Sequence, residues 1–383
     1  MSLKALLPIG GLLGCAALAV TACVPAAAPE FPQTPVSSLL VAEQIAALGN
    51  AASSVAVAAD GRVFFAEKNT GQIRVIAGGV LQESAFVTVP VNFAGERGLL
   101  DIALHPDFAS NNRIYALYVR SDTGLPTNVA NSVVDTRVVY FTANGTVAGG
   151  GEIFVASLPA SANLTQVGGR IAFDANRKLF VAIGDFGDPA SAQAASPLVG
   201  KVLRYNDDGS IPSDNPDPGS PAFALGLRDP RGLSVDPQTG DPFAADRNNA
   251  GFQEVNRIRL NRNYGWPFVI GFAKAANELA FAAGTANYTD PLSETDTTIT
   301  DLAGGEFNRG SRYGPRGQNQ FFFGDGSGRR VFLAELNPDR SSSTVSPFAG
   351  PFPSAVTDIT FSPSGTMFVA CEDGIYRVVE RQQ

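Results

Sequence analysis

The chain has 383 residues, of which 44% are hydrophobic and 17% are charged, so it is long and apolar enough to bury a large core. Its net charge is −8, its pI is about 4.8, and it has no run of basic residues, which together argue against nucleic acid as a partner. Forty glycines and 26 prolines, in a chain too hydrophobic for disorder, are typical of many turns between short strands.

The first 22 residues have the features of a secretory signal peptide. Lys4 supplies a positive charge, and residues 5–20 are apolar but contain Pro8 and three glycines, which suits a secretory segment better than a spanning helix. VTAC at 20–23 matches the bacterial lipobox, whose cysteine receives a lipid. We therefore predict that Cys23 anchors an exported protein at the cell envelope, on the periplasmic or outer surface. The alternative is an ordinary cleavage site that happens to contain a cysteine.

A tether and one folded domain follow the signal peptide. Residues 23–45 contain many alanines and prolines, which is typical of a semi-rigid linker, and 46–383 are predicted to form the folded domain. Cys371 is the only cysteine of that domain, so its stability must come from a hydrophobic core and not from disulfides. Contact with a membrane is expected only through the lipid anchor.

A two-strand unit recurs along the domain. Each copy has an alternating apolar strand, a turn rich in Gly, Asn or Asp, and an aromatic-rich strand. The copies are 54–67, 101–119, 169–184, 232–246, 319–336 and 357–371. They recur about every 40 to 70 residues, which is too long for a β-sandwich. With no sustained helical stripe, the repeats predict an all-β fold, a six-bladed β-propeller closed by strands near both ends of the domain. The insertions 122–133 and 272–301 are predicted to be loops above a blade.

Four motifs occur in order in the middle of the chain. They are GKVLR at 200–204, DGSIPSDNP at 208–216, GLRDPRGL at 226–233 and NYGWP at 263–267. This set resembles the glucose/sorbosone dehydrogenase family, and the similarity covers nearly all of the chain after about residue 45. The resemblance implies a six-bladed propeller that uses pyrroloquinoline quinone (PQQ) and calcium to oxidise a sugar hydroxyl.

The resemblance also implies which residues do the chemistry. In the family a histidine, four residues before the arginine of the GGR motif at 168–170, takes the proton of the sugar hydroxyl. Gln166 stands there, and a glutamine cannot accept that proton. Arg228 matches the arginine that holds the quinone oxygen, and Asp229 replaces the asparagine beside it. The alternative for these two is an ion pair at a blade junction. His105 is the only histidine of the chain, and its turn context predicts a structural role.

The implied calcium and cofactor positions also differ from the family pattern. Asp246, Asn248 and Asn249 stand where backbone carbonyls of a Gly-Pro loop bind calcium, and their side-chain oxygens suit a hard cation. Arg247, in the middle of this run, lowers the affinity for one. Arg329, or the arginine after it, is the candidate for the lysine that pairs with PQQ carboxylates. The alternative for it is a solvated surface arginine.

Three further residues are candidates for contact with the substrate. Glu96 stands where relatives have Gln or Glu near the sugar, and its alternative is a rim salt bridge with Arg97 or a neighbouring loop. Asp185 is predicted to line the same mouth, unless its GD turn serves the blade. Arg170 belongs to a motif whose alternative role is loop geometry.

Three functions remain open on these grounds. The first is an exported PQQ-dependent aldose sugar dehydrogenase-like protein acting on a small-molecule sugar, with a pocket that lacks the catalytic histidine. The second is a catalytically inactive propeller that binds a glycan or protein at the cell envelope. The third is a metal-dependent lactonase-like hydrolase.

Overall fold

Six antiparallel sheets follow one another along the chain in the computed structural model, which describes residues 33–35, 39–160, 163–248, 252–295 and 298–381. The predicted signal peptide, Cys23 and Asn249 lie outside the described residues. Residues 32–383 belong to one compact unit.

The strands are β1 (Gln33–Pro35), β2 (Leu40–Ala47), β3 (Ala52–Val57), β4 (Val63–Glu67), β5 (Gln72–Ala77), β6 (Val80–Leu81), β7 (Val87–Thr88), β8 (Leu99–Leu104), β9 (Arg113–Val119), β10 (Thr136–Asn144), β11 (Val147–Ala148), β12 (Ile153–Leu158), β13 (Gly168–Phe173), β14 (Lys178–Ile183), β15 (Lys201–Asn206), β16 (Ala222–Leu225), β17 (Pro230–Val235), β18 (Pro242–Asp246), β19 (Glu254–Arg257), β20 (Ser293–Glu294), β21 (Leu302–Asn308), β22 (Gln320–Asp325), β23 (Arg330–Leu336), β24 (Ser343–Ala349), β25 (Val356–Phe361), β26 (Met367–Cys371) and β27 (Gly374–Glu380). The helices are α1 (Phe108–Asn111), α2 (Ala276–Gly284) and α3 (Gly314–Gly317), with a 3-10 turn at Pro189–Ala192.

The sheets are the six blades of a β-propeller, as predicted. Blades 1 to 5 consist of β3–β7, β8–β12, β13–β16, β17–β20 and β21–β24, and blade 6 joins β25–β27 to β2 and β1. The innermost strands β3, β8, β13, β17, β21 and β25 contact one another in sequence around a central channel. The ring is closed because β2 pairs antiparallel with β27. Since β2 starts at Leu40, the propeller takes in residues ahead of 46.

Apolar side chains fill the spaces between neighbouring blades. The second strand of a blade is covered on both faces, so its residues are buried throughout, as in β4, β18 and β26. Between blades 1 and 2, Phe64, Phe86, Phe108 and Phe141 make edge-to-face pairs with ring centroids 5.7 to 6.4 Å apart. Aromatic side chains from strands, loops and a helix thus fill the space between blades 1 and 2.

Each innermost strand has a register shift near its start, typical of a β-bulge. Buried carboxylates connect blades at this level. Asp358 of β25 accepts a hydrogen bond from the Val55 amide of β3 (2.9 Å), and Asp101 of β8 accepts one from the Ile171 amide of β13 (2.7 Å). These bonds join blade 6 to blade 1 and blade 2 to blade 3 without a disulfide.

The insertions differ in structure. Residues 122–133 form a loop between β9 and β10, as predicted, whereas 272–301 contain α2 and β20. The α2 helix forms locally, because Glu278 accepts hydrogen bonds from the amides of Lys274 and Ala275 at its start, and none of its residues is buried. No helix in the described part of the chain is long and apolar enough to cross a membrane. Five repeats match the first hairpin of a blade, while 319–336 matches the second hairpin of blade 5.

Candidate functional site

Most of the predicted site residues meet at one end of the channel, which we call the upper mouth. It is the end where the six innermost strands begin. Two kinds of loop lie at this end, because the strands of a blade alternate in direction. The first kind precedes an innermost strand, and the second kind joins the second strand of a blade to the third. Glu96, Gln166 and Asp229 lie on loops of the first kind, and Asp185 and Arg247 on loops of the second kind.

Gln166 is held in a tight turn before β13. Its φ is +52°, and its carbonyl accepts a hydrogen bond from the Phe186 amide (3.1 Å). A side chain at Gly184 would lie 1.9 Å from this carbonyl, so only glycine lets the two loops approach. The half-buried side chain of Gln166 accepts a hydrogen bond from the Thr165 hydroxyl (2.6 Å). An amide is therefore fixed where the resemblance places a base.

Asp185, Trp266 and Arg228 form a second group beside it. The indole Nε1 of Trp266 donates to Asp185 Oδ2 (2.8 Å), and the Arg228 guanidinium lies 5.3 Å from the Trp266 ring centroid. Asp185 Oδ1 accepts a further bond from the Gly187 amide (2.8 Å). Burial raises the pKa of Asp185 above its usual value, although these hydrogen bonds and Arg228 oppose the rise. Asp185 thus positions the tryptophan, and Trp266 presents a half-buried ring at the mouth.

Arg228 and Asp229 do not pair with each other, so the ion pair considered as their alternative is not what the structure shows. The Arg228 guanidinium donates to the Arg247 carbonyl (3.0 Å). The Arg228 and Asp229 amides both donate to the carboxylate of Asp246, at 2.9 and 2.7 Å. Asp229 itself is fully buried, and its carboxylate accepts a bond from the Gly168 amide (2.8 Å).

Asp229 belongs to an ion-pair network at the upper mouth. Arg247 contacts Glu96 (2.5 Å), Asp229 (2.6 Å) and Asp301 (3.0 Å). Arg231 contacts Glu96 (2.6 Å) and Asp229 (3.1 Å). Burial alone would raise the pKa of Asp229, yet Arg231 and Arg247 hold it below its usual value. The carboxylates of Asp229 and Glu96 raise the pKa of Arg247 in spite of its burial. Asp229 is therefore a poor proton acceptor, and Glu96 is engaged by the same two arginines.

Glu96 therefore makes rim salt bridges, which was the alternative to a substrate contact. Its partners are Arg231 and Arg247 of blade 4, and not Arg97. Arg97 is fully buried and donates to the carbonyls of Ala130 (2.6 Å) and Asn163 (3.1 Å). It supports the loops beneath the mouth.

Asp246, one of the described residues at the predicted calcium position, does not fit calcium. Both oxygens of Asp246 accept backbone N–H bonds, and its pKa is raised well above the usual value by burial and by the nearby Glu254. Such a carboxyl is a poor ligand for a hard cation. Asn248 is buried, its backbone amide donates to Gln253 Oε1 (3.1 Å), and its side-chain Oδ1 has no hydrogen-bond partner. No group of three or more His, Cys, Asp or Glu within the described ranges could hold a metal ion.

Cationic groups at the mouth do fit the carboxylates of a quinone such as PQQ. Arg228 lies there, together with Lys68, whose ammonium group donates to the Gly95 carbonyl (2.6 Å). Arg231 and Arg247 lie there too, already paired with Glu96 and Asp229. Burial and the neighbouring Arg231 lower the pKa of Lys68. An anionic ligand would relieve this repulsion. Arg329 is also at this end, but it is exposed and donates to the Pro353 carbonyl (3.1 Å), as a surface arginine does.

Arg170 lies inside the channel, not at the mouth. Its guanidinium donates to the carbonyls of Ser53 (3.3 Å) and Thr357 (3.0 Å) and pairs with Asp101 (3.5 Å) and Asp358 (3.2 Å). It therefore connects β13 to β3, β8 and β25 across the channel. These contacts give Arg170 a structural role, and the substrate contact stays a prediction.

The other end of the channel, the lower mouth, opens into a cavity of about 480 Å³ lined by the ends of the innermost strands. His105 lies near this end. Its ring accepts bonds from the Asp107 amide (3.0 Å) and the Asn111 side chain (2.8 Å) and lies 3.2 Å from the Asp207 carboxylate. These contacts confirm the structural role predicted for His105.

Several residues of the mouth have little or no signal in the local sequence. Trp266 stands in the NYGWP motif, and its place there is the one signal of its role. No local signal marks Lys68, Arg231 or Asp301, because their roles depend on blades that are distant in sequence. The sequence marks Arg247 only as unfavourable for calcium.

Comparison with known proteins places these features in a family. The glucose/sorbosone dehydrogenase family model matches residues 50–378. The aldose sugar dehydrogenase YliI of Escherichia coli K12 is 25% identical over 341 residues, which cover 81% of this chain and 86% of that protein. The quinoprotein glucose dehydrogenase B of Acinetobacter calcoaceticus is 30% identical over 270 residues, which cover 64% of this chain and 54% of that protein.

A solved structure agrees with the fold. The PQQ-bound aldose sugar dehydrogenase of Streptomyces coelicolor matches with a TM-score of 0.72 at 23% identity, covering 92% of this chain and 100% of that one. At this identity the likeness establishes the propeller fold.

Proposed function

Because the chain belongs to the glucose/sorbosone dehydrogenase family, we propose that it is a PQQ-dependent aldose sugar dehydrogenase-like protein that binds a sugar at the upper mouth and oxidises one of its hydroxyl groups. The observation that carries the proposal is the convergence of Gln166, Arg228 and Trp266 on this mouth, beside a cluster of cationic side chains.

The residues of the mouth have separable tasks. Bound PQQ would supply the quinone that accepts hydride. Arg228 and Lys68 would hold its negative charges, since charge-assisted hydrogen bonds are the strong ones. The Trp266 ring, fixed by Asp185, offers a flat face to a sugar or a quinone. Gln166 can orient a hydroxyl through its amide but cannot take its proton, so we expect oxidation to be slow.

Titration of the protein with PQQ, followed by absorbance, tests this function. We expect binding by the wild type and about 10- to 100-fold weaker binding by Arg228→Met, because a hydrogen bond to a charged group contributes about 1.5–3 kcal/mol. Arg204→Met is the matched control, since Arg204 also lies over an aromatic ring, that of Phe223 (5.1 Å), but outside the mouth. Absence of PQQ binding by the wild type would contradict the proposal.

The ion-pair network favours a second candidate, a non-catalytic propeller that binds an envelope glycan or protein. Glu96 already satisfies Arg231 and Arg247, so these arginines have a partner without any cofactor. A protein of this kind would retain a glycan in the absence of PQQ and would fail the titration. For the lactonase-like alternative we find no supporting metal cluster among the described residues.

We further propose that the protein is exported and anchored by lipid at Cys23. The support is the apolar leader and the VTAC motif of the sequence. Metabolic labelling with a tagged palmitate should mark the wild type and Cys15→Ser, and should not mark Cys23→Ser, because the anchor needs that thiol. Labelling of Cys23→Ser at the wild-type level would show that the lipid is attached elsewhere.

A further inference from the structure

We propose that Gln193 is a positioning residue for the upper mouth, because it holds the backbone that carries Trp266 and so sets the ring that a bound ligand meets. Gln193 acts through Trp266 and not by contact with the ligand. The inference rests on the proposed function, since it takes the upper mouth as the place where the ligand binds.

Gln193 lies on the β14–β15 loop, residues 184–200, and contacts the backbone of the tryptophan. Its Nε2 donates to the Trp266 carbonyl (2.6 Å) and to Asn263 Oδ1 (3.0 Å). Its Oε1 accepts a bond from Asn263 Nδ2 (2.7 Å). Both halves of the Gln193 amide are therefore used to join two loops, one from blade 3 and one from blade 4.

Asn263 is the point where a third loop, the one ahead of Arg228, joins these two. Asn263 is buried, and its Oδ1 also accepts a bond from the Gly265 amide (2.9 Å). A side chain at Gly226 would lie 2.4 Å from the same oxygen, so only glycine lets the third loop come this close. Trp266 and Arg228 are thus brought together through their backbones, with the guanidinium 5.3 Å from the ring centroid.

The β14–β15 loop holds this pair at two further points. The Asp185 amide donates to the Arg228 carbonyl (2.8 Å), and the Asp185 carboxylate accepts the indole N–H of Trp266 (2.8 Å). One loop therefore fixes Trp266 at its indole nitrogen through Asp185 and at its carbonyl through Gln193. Without the second contact the ring would be held only at its tip.

A buried ammonium group fixes the loop itself. Lys201 is fully buried, and its Nζ donates to the carbonyls of Ser191 and Val199, each at 2.8 Å. Gln193 lies between these two carbonyls in sequence, so its own backbone is held on both sides. The position of Gln193 is therefore set before any ligand binds, as positioning of a binding group requires.

Fluorescence tests the inference, because Trp266 is the only tryptophan of the chain. Gln193→Met keeps an unbranched side chain but removes both N–H donors. In the variant without ligand we expect Trp266 to emit at longer wavelength and to be quenched more by acrylamide, because the ring gains access to water. PQQ, followed by absorbance, should bind about 2- to 10-fold more weakly, the range that one neutral hydrogen bond contributes.

Gln44→Met is the matched control. Gln44 Nε2 also donates to a backbone carbonyl, that of Asp373 (3.3 Å), and to the Tyr376 hydroxyl (3.1 Å), but on blade 6. Its loss can lower the stability but should leave the emission and the affinity for PQQ as in the wild type. This control separates positioning of Trp266 from a general loss of stability.

An unchanged emission in Gln193→Met overturns the inference, and so does a shifted emission with unchanged affinity for PQQ. A wild type that does not bind PQQ contradicts the proposed function instead. In that case the emission of the free protein decides alone: a shift supports the role of Gln193 in holding Trp266, and its absence overturns that role.

Discussion

Replacing Gln166 with histidine is expected to raise the rate of aldose oxidation by about 10²–10⁴-fold, because positioned general-base catalysis contributes that much. The wild-type amide can orient the sugar hydroxyl but cannot remove its proton. Gln166 already sits in a fixed turn at the mouth, with φ at +52°, a conformation that histidine adopts more readily than most residues. The rate would be measured with PQQ, an aldose and a dye acceptor.

Gln166→Asn is the control for this experiment, since asparagine keeps the amide and should bring no gain. A wild type that oxidises glucose as fast as family members with histidine would contradict the prediction. Another group would then have to act as the base. Asp229 and Glu96 are poor candidates because arginines hold both. Asp185, whose pKa is raised by burial, would be the next to test, by Asp185→Asn.

The fold could be predicted from the sequence because its signals are local and repeated. Each strand pair has its own turn and its own alternation of apolar residues, as in 54–67 and 357–371. Six copies of such a unit are typical of a β-propeller. The helix α2 could not be predicted in this way. It makes no amphipathic stripe, and its start is capped by Glu278, which accepts bonds from the amides of Lys274 and Ala275.

The site could be predicted only in part. Motifs drew attention to Gln166, Arg228 and Asp229, and the fold brings all three to one mouth because each lies on a loop just before an innermost strand or within two residues of one. Partner choice could not be predicted. Arg247 and Glu96 are 151 positions apart, and their contact exists only because the ring brings blades 2 and 4 to the same mouth. Ion pairs across the channel carry no signal in the local sequence.

Asp229→Asn should lower the free energy of unfolding by about 3–5 kcal/mol at pH 7, the usual cost of removing one partner from a buried ion pair. Asp229 has no exposed surface, and both Arg231 and Arg247 contact it. The variant leaves two guanidinium groups facing an uncharged amide. Urea denaturation of both proteins measures the loss. Asp241→Asn is the control, because its partly exposed pair with Arg257 should contribute only about 0–1 kcal/mol.

The pH dependence identifies charge as the cause of this loss. Asp229 has a lowered pKa in the folded protein and an ordinary value of about 3.9 when unfolded. The unfolded state therefore binds more protons below about pH 4, and the stability that Asp229 contributes is present above that pH and is lost as pH falls through the folded pKa. The difference between wild type and Asp229→Asn should accordingly be full at pH 7 and shrink below pH 4. A difference that stays constant with pH would assign the loss to altered packing and not to the ion pairs. In Asp229→Asn/Arg247→Gln the loss should be smaller than the sum of the two single losses, because the amide then faces one guanidinium fewer.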